Sequence, residues 1–142
     1  MGGEPRAPAL PRIAVSAAIF RDRHLLLVRR ARQPAQGLYT LPGGRVEYGE
    51  TLTEALIREI REETALSIAV VGLAGFREVL PRAAGGGHFV ILSFAARWTA
   101  GELHLNEELD AAEWREAADL TGLPTTEGLA DIVAAARDLA GA

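Results

Sequence analysis

The stretch from Gly44 to Leu66 constrains this chain most, because it predicts a helix whose inward-facing stripe changes its chemistry partway along. At about 100° per residue, the stripe begins with apolar side chains and continues with three carboxylates. The apolar residues are Leu52, Ala55 and Leu56, and the acids are Glu59, Glu62 and Glu63. Clustered carboxylates repel one another and are costly to bury. Mg²⁺ relieves both penalties, so the stripe predicts a magnesium site.

Ordinary surface ion pairs are the alternative explanation for these charges. Arg58 and Arg61 could pair with Glu62 on a solvated helix face. The surrounding residues favour the metal site instead. Gly44 is followed after five residues by Glu50, and seven further residues lead to the sequence Arg-Glu-Ile-Arg-Glu-Glu at positions 58–63.

This spacing, with its lead-in Leu41-Pro42-Gly43-Gly44, resembles the Nudix box, and the chain looks like a Nudix hydrolase. The resemblance is strongest over residues 40–66 and extends more weakly over about residues 12–140. It implies an α/β fold, an α/β/α sandwich with a central mixed β-sheet. Ala65 departs from the pattern, because the family usually has Gly there. Either Ala65 adopts a left-handed conformation at a cost of about 1 kcal/mol, or the helix runs slightly further.

The resemblance also implies roles for individual residues. The expected metal ligands are the carbonyl of Gly44 and the carboxylates of Glu59, Glu62, Glu63 and Glu108. The expected catalytic residues are Glu62, Glu63 and Glu108. Glu108 lies outside the box, in an acidic segment where Glu107 competes for the same role and where an ordinary surface loop is the alternative. Substrate phosphates are expected to contact Arg30 and Arg45, and the ligands are expected to be positioned by Glu50 and Arg58, unless Arg58 forms a plain surface pair.

The implied activity is hydrolysis of the diphosphate bond in a nucleoside diphosphate linked to another group, with Mg²⁺ as cofactor and Mn²⁺ able to substitute. Pro81 slightly favours ADP-ribose or a related nucleotide sugar as the substrate. A mutator-type pyrophosphatase acting on oxidised or normal nucleoside triphosphates fits the compact length and Arg30 equally well. A non-catalytic nucleotide-sensing module is a third reading, but a sensor has no need to keep three carboxylates together.

Composition narrows the classes of partner. The net charge of −4 argues against a general nucleic-acid binder, and the absence of cysteine excludes thiol chemistry. No apolar run reaches transmembrane length, and the first residues do not resemble a signal peptide. We therefore expect a flexible tail over residues 1–11 and a single domain over residues 12–142. The domain is expected to be cytoplasmic, without nucleic-acid or membrane partners, and a homodimer is plausible because many relatives are dimers.

Local patterns predict the order of the elements. Strands are expected over residues 12–20, 24–30, 39–41, 66–80, 88–98 and 113–115, with brief pairing at 45–48. A capping box at Thr51 and Glu54 predicts a helix from Leu52 to Thr64, and an amphipathic helix is expected over residues 128–139. A glycine-rich loop over residues 83–87 and an acidic loop over residues 106–112 join the remaining strands.

Overall fold

The computed structural model describes residues 10–82 and 86–142. The predicted tail and the centre of the predicted loop over residues 83–87 therefore lie largely outside the described residues. The elements in chain order are β1 (Arg12–Arg21), β2 (His24–Arg30), β3 (Tyr39–Thr40), β4 (Gly43–Arg45), α1 (Leu52–Thr64), β5 (Ser67–Val79), β6 (Phe89–Ala100), β7 (Leu109–Glu116) and α2 (Leu129–Ala140).

The strands form one mixed sheet in the order β3-β2-β1-β6-β5, with β4 paired to β1 and β7 paired to β2. The β1–β6 ladder is parallel and runs from the pair Arg12 and Phe89 to the pair Phe20 and Arg97. Every other ladder between these strands is antiparallel. Strands β2 and β4 pair with different parts of the same edge of β1, β2 at Phe20 and Arg21 and β4 at residues 14–16.

The two helices cover opposite faces of the sheet. Alternate residues of β1 point to opposite sides, so Val15 and Ile19 pack with Leu56 of α1. On the other face, Phe20 packs with Val133 of α2. The predicted α/β/α sandwich around a mixed sheet is confirmed.

Helix α1 begins and ends at the predicted residues. The Thr51 hydroxyl accepts the Glu54 amide hydrogen at 3.1 Å, and the Glu54 carboxylate accepts the Thr51 amide hydrogen at 3.2 Å. At the other end, Ala65 has φ 64° and ψ 13° and donates its amide hydrogen to the Arg61 carbonyl. The left-handed alternative for Ala65 is therefore confirmed, and the alternative of a longer helix is wrong.

Two short segments differ from the sequence expectation. The strand near the glycine motif is Gly43–Arg45 rather than residues 45–48, because its backbone pairs with β1 at Ser16, Val15 and Ala14. The predicted acidic loop ends early, since β7 begins at Leu109 and pairs with β2 along its length. The pairing of β5 with β6 shifts in register beside Gly72 and Gly75. Among the described residues, neither helix has the length and apolar character needed to cross a bilayer.

Candidate active site

Two glycines let the backbone of β4 come unusually close to its neighbours. A Cβ atom on Gly43 would lie 2.0 Å from the carbonyl oxygen of Val15, and one on Gly44 would lie 2.2 Å from Cδ of Glu59. Neither position can accept a side chain without movement of its surroundings. The Glu59 carboxylate of α1 consequently rests directly against the backbone of β4.

Glu63 is the most deeply buried of the acids, with only 7% of its surface exposed. Its Oε1 accepts the amide hydrogen of Gly43 at 2.9 Å. Burial raises the pKa of Glu63 to about 7, and the negative charges of Glu59 and Glu108 add to the rise. The Gly43 hydrogen bond and the positive charge of Arg30 oppose it. The Glu63 carboxylate is thus within electrostatic reach of both Arg30 and Glu108.

The other two acids of α1 differ in their surroundings. Burial raises the pKa of Glu59, although a hydrogen bond from Arg58 Nη1 to Oε1 at 2.9 Å partly offsets the rise. The Glu62 side chain is 56% exposed and accepts a longer hydrogen bond, 3.3 Å, from the same nitrogen. Glu62 is therefore a solvated acid, whereas its neighbour Glu63 is largely shielded from water.

Arg58 ties this end of the site together. Its Nε and Nη2 donate to the two carboxylate oxygens of Glu50 at 2.7 and 2.8 Å, a bidentate arrangement. Nη2 also donates to the carbonyl of Arg45 at 3.0 Å. Arg58 therefore contacts both Glu62 and Glu50. One guanidinium therefore connects the loop before α1, strand β4 and the acids of the helix.

The Arg58 guanidinium stabilises the charged form of Glu50. Its hydrogen bond, together with the Glu47 amide hydrogen donated to Oε1 at 2.9 Å, lowers the pKa of Glu50 to about 2. An ionised Glu50 in turn holds the Arg58 fork in one orientation. A positioning role for Glu50 and Arg58 requires this contact between them, and the role itself stays a prediction.

The segment before β7 is attached to the end of α1. The amide hydrogens of His104 and Asn106 are donated to the carbonyls of Thr64 and Glu63, at 3.0 and 3.1 Å. The Asn106 side chain accepts the Glu108 amide hydrogen at 3.0 Å. These bonds satisfy carbonyls at the helix end and fix Glu108 beside the acids of α1.

A cleft of about 1000 Å³ brings most of the predicted site residues together. Its lining includes Arg30, Gly44, Arg45, Glu59, Glu62, Glu63 and Glu108. Glu107 is exposed and lies outside that lining, so the structure favours Glu108 as the acid that faces the cleft. Glu50 and Arg58 also lie outside the lining; Arg58 contacts Glu59, and Glu50 contacts Arg58.

The far part of the cleft contains residues that no motif marked. Its lining there includes Arg12, Arg77, Phe89 and Ile91. They come from β1, β5 and β6 and meet only through the strand register. Local sequence carries no signal for such a grouping, because neighbouring strands in this sheet are far apart in the chain.

The donor set fits a hard divalent cation. Every candidate side chain offers carboxylate oxygens, and the two least exposed acids, Glu59 and Glu63, both have raised pKa values in the absence of a compensating ion. Within residues 10–82 and 86–142, no three Asp, Glu, His or Cys side chains already converge into a finished metal-binding group. Binding would therefore require the acids to turn towards a shared ion.

Comparison with known proteins agrees with the fold and the motif. Residues 10–136 match the NUDIX domain, so the chain belongs to the Nudix family. It is 39% identical over 114 residues to an ADP-ribose pyrophosphatase of Methanocaldococcus jannaschii, covering 80% of this chain and 65% of that protein. It is 34% identical over 137 residues to the 8-oxo-dGDP phosphatase of Homo sapiens, covering 92% and 41%.

Solved structures show the same fold. The crystal structure of a MutT NUDIX hydrolase from Burkholderia pseudomallei superposes with a TM-score of 0.78 at 31% identity, covering 88% of this chain and 97% of that one. The chain spans less than two thirds of the length of the curated relatives that it matches, 65% of the archaeal protein and 41% of the human one.

Proposed function

We propose that this protein is a metal-dependent hydrolase that cleaves the diphosphate bond of a nucleoside diphosphate linked to another group. The position of Glu63 carries this proposal. It is a buried acid with a raised pKa, held by the amide of Gly43, in a cleft that it shares with Glu59, Glu108 and Arg30. Acids and arginines that face one cleft suit a metal-bound diphosphate better than they suit a structural core.

The proposed cofactor is Mg²⁺, with Mn²⁺ able to substitute. The residues that would hold it are the carbonyl of Gly44 and the carboxylates of Glu59, Glu62, Glu63 and Glu108. When bound, the ion supplies charge neutralisation of the diphosphate and a lowered pKa for a coordinated water. Its binding would also remove the cost of keeping desolvated carboxylates next to one another.

The side chains of this protein would supply the remaining chemistry. Arg30 and Arg45 line the cleft, and their guanidinium groups would donate hydrogen bonds to phosphate oxygens. The Glu108 carboxylate would accept a proton from the attacking water, with Glu62 and Glu63 as the other catalytic acids. Arg58 and Glu50 would hold the acids of α1 in position during the reaction.

ADP-ribose is the first substrate to test, because the archaeal relative is named as an ADP-ribose pyrophosphatase. Pro81 adds little support, since it is exposed and lies outside the lining of the cleft. The second candidate is a mutator-type activity on oxidised or normal nucleoside triphosphates. The presence of Arg30 in the cleft and the name of the human relative, an 8-oxo-dGDP phosphatase, favour it.

A substrate panel tests both candidates. The protein with Mg²⁺ is incubated with ADP-ribose, other nucleotide sugars, dinucleoside polyphosphates and nucleoside triphosphates, and the products are separated by anion-exchange chromatography. Release of a nucleoside monophosphate that requires both the metal and Glu63 supports the proposal. Tight nucleotide binding without cleavage of any compound would instead support the sensing module.

The remaining expectations concern the surroundings of the protein. A cytoplasmic location, a small-molecule substrate without nucleic-acid or membrane partners, and a homodimer stay predictions. Light scattering coupled to size-exclusion chromatography measures the oligomeric state directly. Titration with duplex DNA, single-stranded RNA and anionic vesicles tests whether the protein binds nucleic acid or membranes; we expect it to bind neither.

A further inference from the structure

Three successive rows of side chains cross the sheet on the cleft face. The first row lies beside the acids, because Gly43, which contacts Glu63, pairs with Ser16, and Ser16 pairs with Ser93. Same-face residues two positions apart on a strand are separated by about 6.8 Å. The row containing Ala14 is therefore one such step from the acids, and the row containing Arg12 is two steps away.

These outer rows have an apolar floor. Ala14 pairs with Ile91, and Phe89 pairs with both Arg12 and Val79 across β1, β6 and β5. All of these residues line the cleft. A floor of this kind suits the flat apolar face of an aromatic ring better than it suits a second, strongly hydrated phosphate.

Arginines border the floor on two sides. Arg12 begins β1, and Arg77 extends from β5, where it pairs with Ile91. The Nη1 atom of Arg77 donates to the carbonyl of Glu127 at 2.8 Å, which fixes the direction of the guanidinium. Among the described residues this is the one hydrogen bond of the Arg77 guanidinium, so within residues 10–82 and 86–142 its other nitrogens can act as donors in a planar fork.

Several acceptors near this floor already have partners among the described residues. The Glu127 carbonyl accepts from Arg77, and the Glu127 carboxylate, which is 86% exposed, lies 3.6 Å from the guanidinium of Arg82 and also attracts Arg77 electrostatically. The hydroxyls of Ser16 and Ser93 hydrogen-bond to each other at 2.8 Å. The outer rows therefore present hydrogen-bond donors around an apolar surface.

We infer that Arg12 and Arg77 form a specificity subsite for the nucleobase of the substrate, and that this subsite selects a keto base such as guanine over adenine. Guanine offers two adjacent acceptors, O6 and N7, to one guanidinium fork. Adenine places an amino donor where guanine has O6, so that one arginine donor would face another donor. The inference rests on the proposed function, because it concerns the base of the nucleotide that the cleft would cleave. Within that function it ranks guanine nucleotides above ADP-ribose, although the name of the archaeal relative makes ADP-ribose the first compound to test.

Matched substrates test this assignment in the full chain with Mg²⁺. GDP-glucose and ADP-glucose differ only in the base, so the ratio of their kcat/KM values isolates base recognition. We expect the unaltered protein to favour GDP-glucose by about fivefold or more. Arg77→Met should move the ratio towards one, mainly through the KM of GDP-glucose, and Arg77→Lys should restore it only in part because Lys lacks the fork.

Two further variants separate base recognition from other effects. Arg77→Met loses the bond to the Glu127 carbonyl and could fold less well. Arg12→Met then tests the same subsite, because it changes an exposed side chain at the start of β1. Arg23→Met, in the exposed turn between β1 and β2, removes an arginine outside the cleft and should leave the ratio unchanged.

Equal loss for both substrates in Arg12→Met and Arg77→Met would overturn the inference, because it would assign these arginines to phosphate. An unaltered protein that prefers ADP-glucose would overturn it as well.

Binding without cleavage separates this inference from the proposed function. Calorimetric titration with GMP and AMP in EDTA measures base preference when no hydrolysis takes place. A preference for GMP that Arg77→Met removes supports the subsite even if neither nucleotide sugar is cleaved. Equal affinities for GMP and AMP, together with equal turnover of the two sugars, would refute the subsite while leaving the hydrolase proposal intact.

Discussion

Gly43 donates its amide hydrogen to the buried carboxylate of Glu63 at 2.9 Å, so a backbone group of β4 fixes the last acid of α1. The bond depends on the missing side chain of Gly43, because a Cβ atom there would collide with the Val15 carbonyl. The bond uses only Oε1 of Glu63, so the Gly43 amide does not occupy Oε2. The glycine motif and the acidic motif are therefore two halves of one site.

We predict that Glu63→Gln and Glu59→Gln each lower kcat by orders of magnitude while the protein still folds. In Glu63→Gln the side-chain amide oxygen can still accept the Gly43 hydrogen, but neither variant offers a charged ligand to a metal ion at the altered position. Turnover of the best panel substrate and the far-ultraviolet circular dichroism spectrum measure the two properties. Turnover close to that of the unaltered protein in either variant would contradict the metal assignment.

Without metal, the stability of the protein should fall as the pH rises from about 4.5 to 7. Folded Glu63 has a pKa of about 7, against an ordinary value of 4.5, so the folded state binds the proton more tightly than the unfolded state does. Its contribution is fully present below pH 4.5 and is lost as the pH rises through 7. The expected size is on the order of 3 kcal/mol at most.

Urea denaturation in EDTA at pH 5, 6, 7 and 8 measures this trend. Glu50 affects the free energy of unfolding in a different pH range. Because its pKa is lowered, its stabilising contribution is lost only as the pH falls from 4.5 to about 2. Glu63→Gln should flatten the dependence between pH 5 and 8. A free energy of unfolding that rises over this range in the unaltered protein would show that Glu63 titrates normally.

Metal should raise the melting temperature with the logarithm of its concentration once that exceeds the dissociation constant, because it binds only the native state. We also expect Glu62→Gln to stabilise the metal-free protein, since it removes one of the charges that repel Glu59. Thermal melts in EDTA and in increasing Mg²⁺ test both points. Identical melting temperatures at all metal concentrations would count against a native-state metal site.

The amino-acid sequence was sufficient to predict those features that depend on residues close together in the chain. The bounds of α1 follow from the Thr51 capping box, and the acids follow from their helical spacing. The bounds of β4 and β7 were missed, because pairing with β1 and β2 sets them. Arg12 and Arg77 were missed as cleft residues for the same reason, since their grouping depends on strand register.

Ala65→Gly should stabilise the protein by about 0.5–1 kcal/mol. Ala65 has φ 64°, a conformation that disfavours a Cβ atom, and glycine removes that penalty at a smaller entropic cost. Ala134→Gly is the matched control, because Ala134 is exposed within α2 and the same change there should destabilise by about 1 kcal/mol. Chemical denaturation measures both changes, and a destabilised Ala65→Gly variant would contradict the strain at this helix end.

Glu108→Gln should lower kcat with little change in KM, whereas Glu107→Gln should leave both nearly unchanged. Glu108 lines the cleft and contributes to the raised pKa of Glu63, while Glu107 is exposed outside the lining. An acid that binds the metal or accepts the proton of water acts mainly in the transition state. Glu108 also accepts a hydrogen bond from Arg32 at 3.2 Å, so Arg32→Met tests whether this exposed pair matters to turnover.

Steady-state kinetics on the best panel substrate distinguishes the outcomes. A large loss of kcat in Glu107→Gln with a normal Glu108→Gln would exchange the two roles. If both variants are normal, the base comes from Glu62 or Glu63 and the acidic segment is only surface. We expect Arg32→Met to have a small effect, because its ion pair with Glu108 is exposed and pairs of that kind contribute at most about 1 kcal/mol.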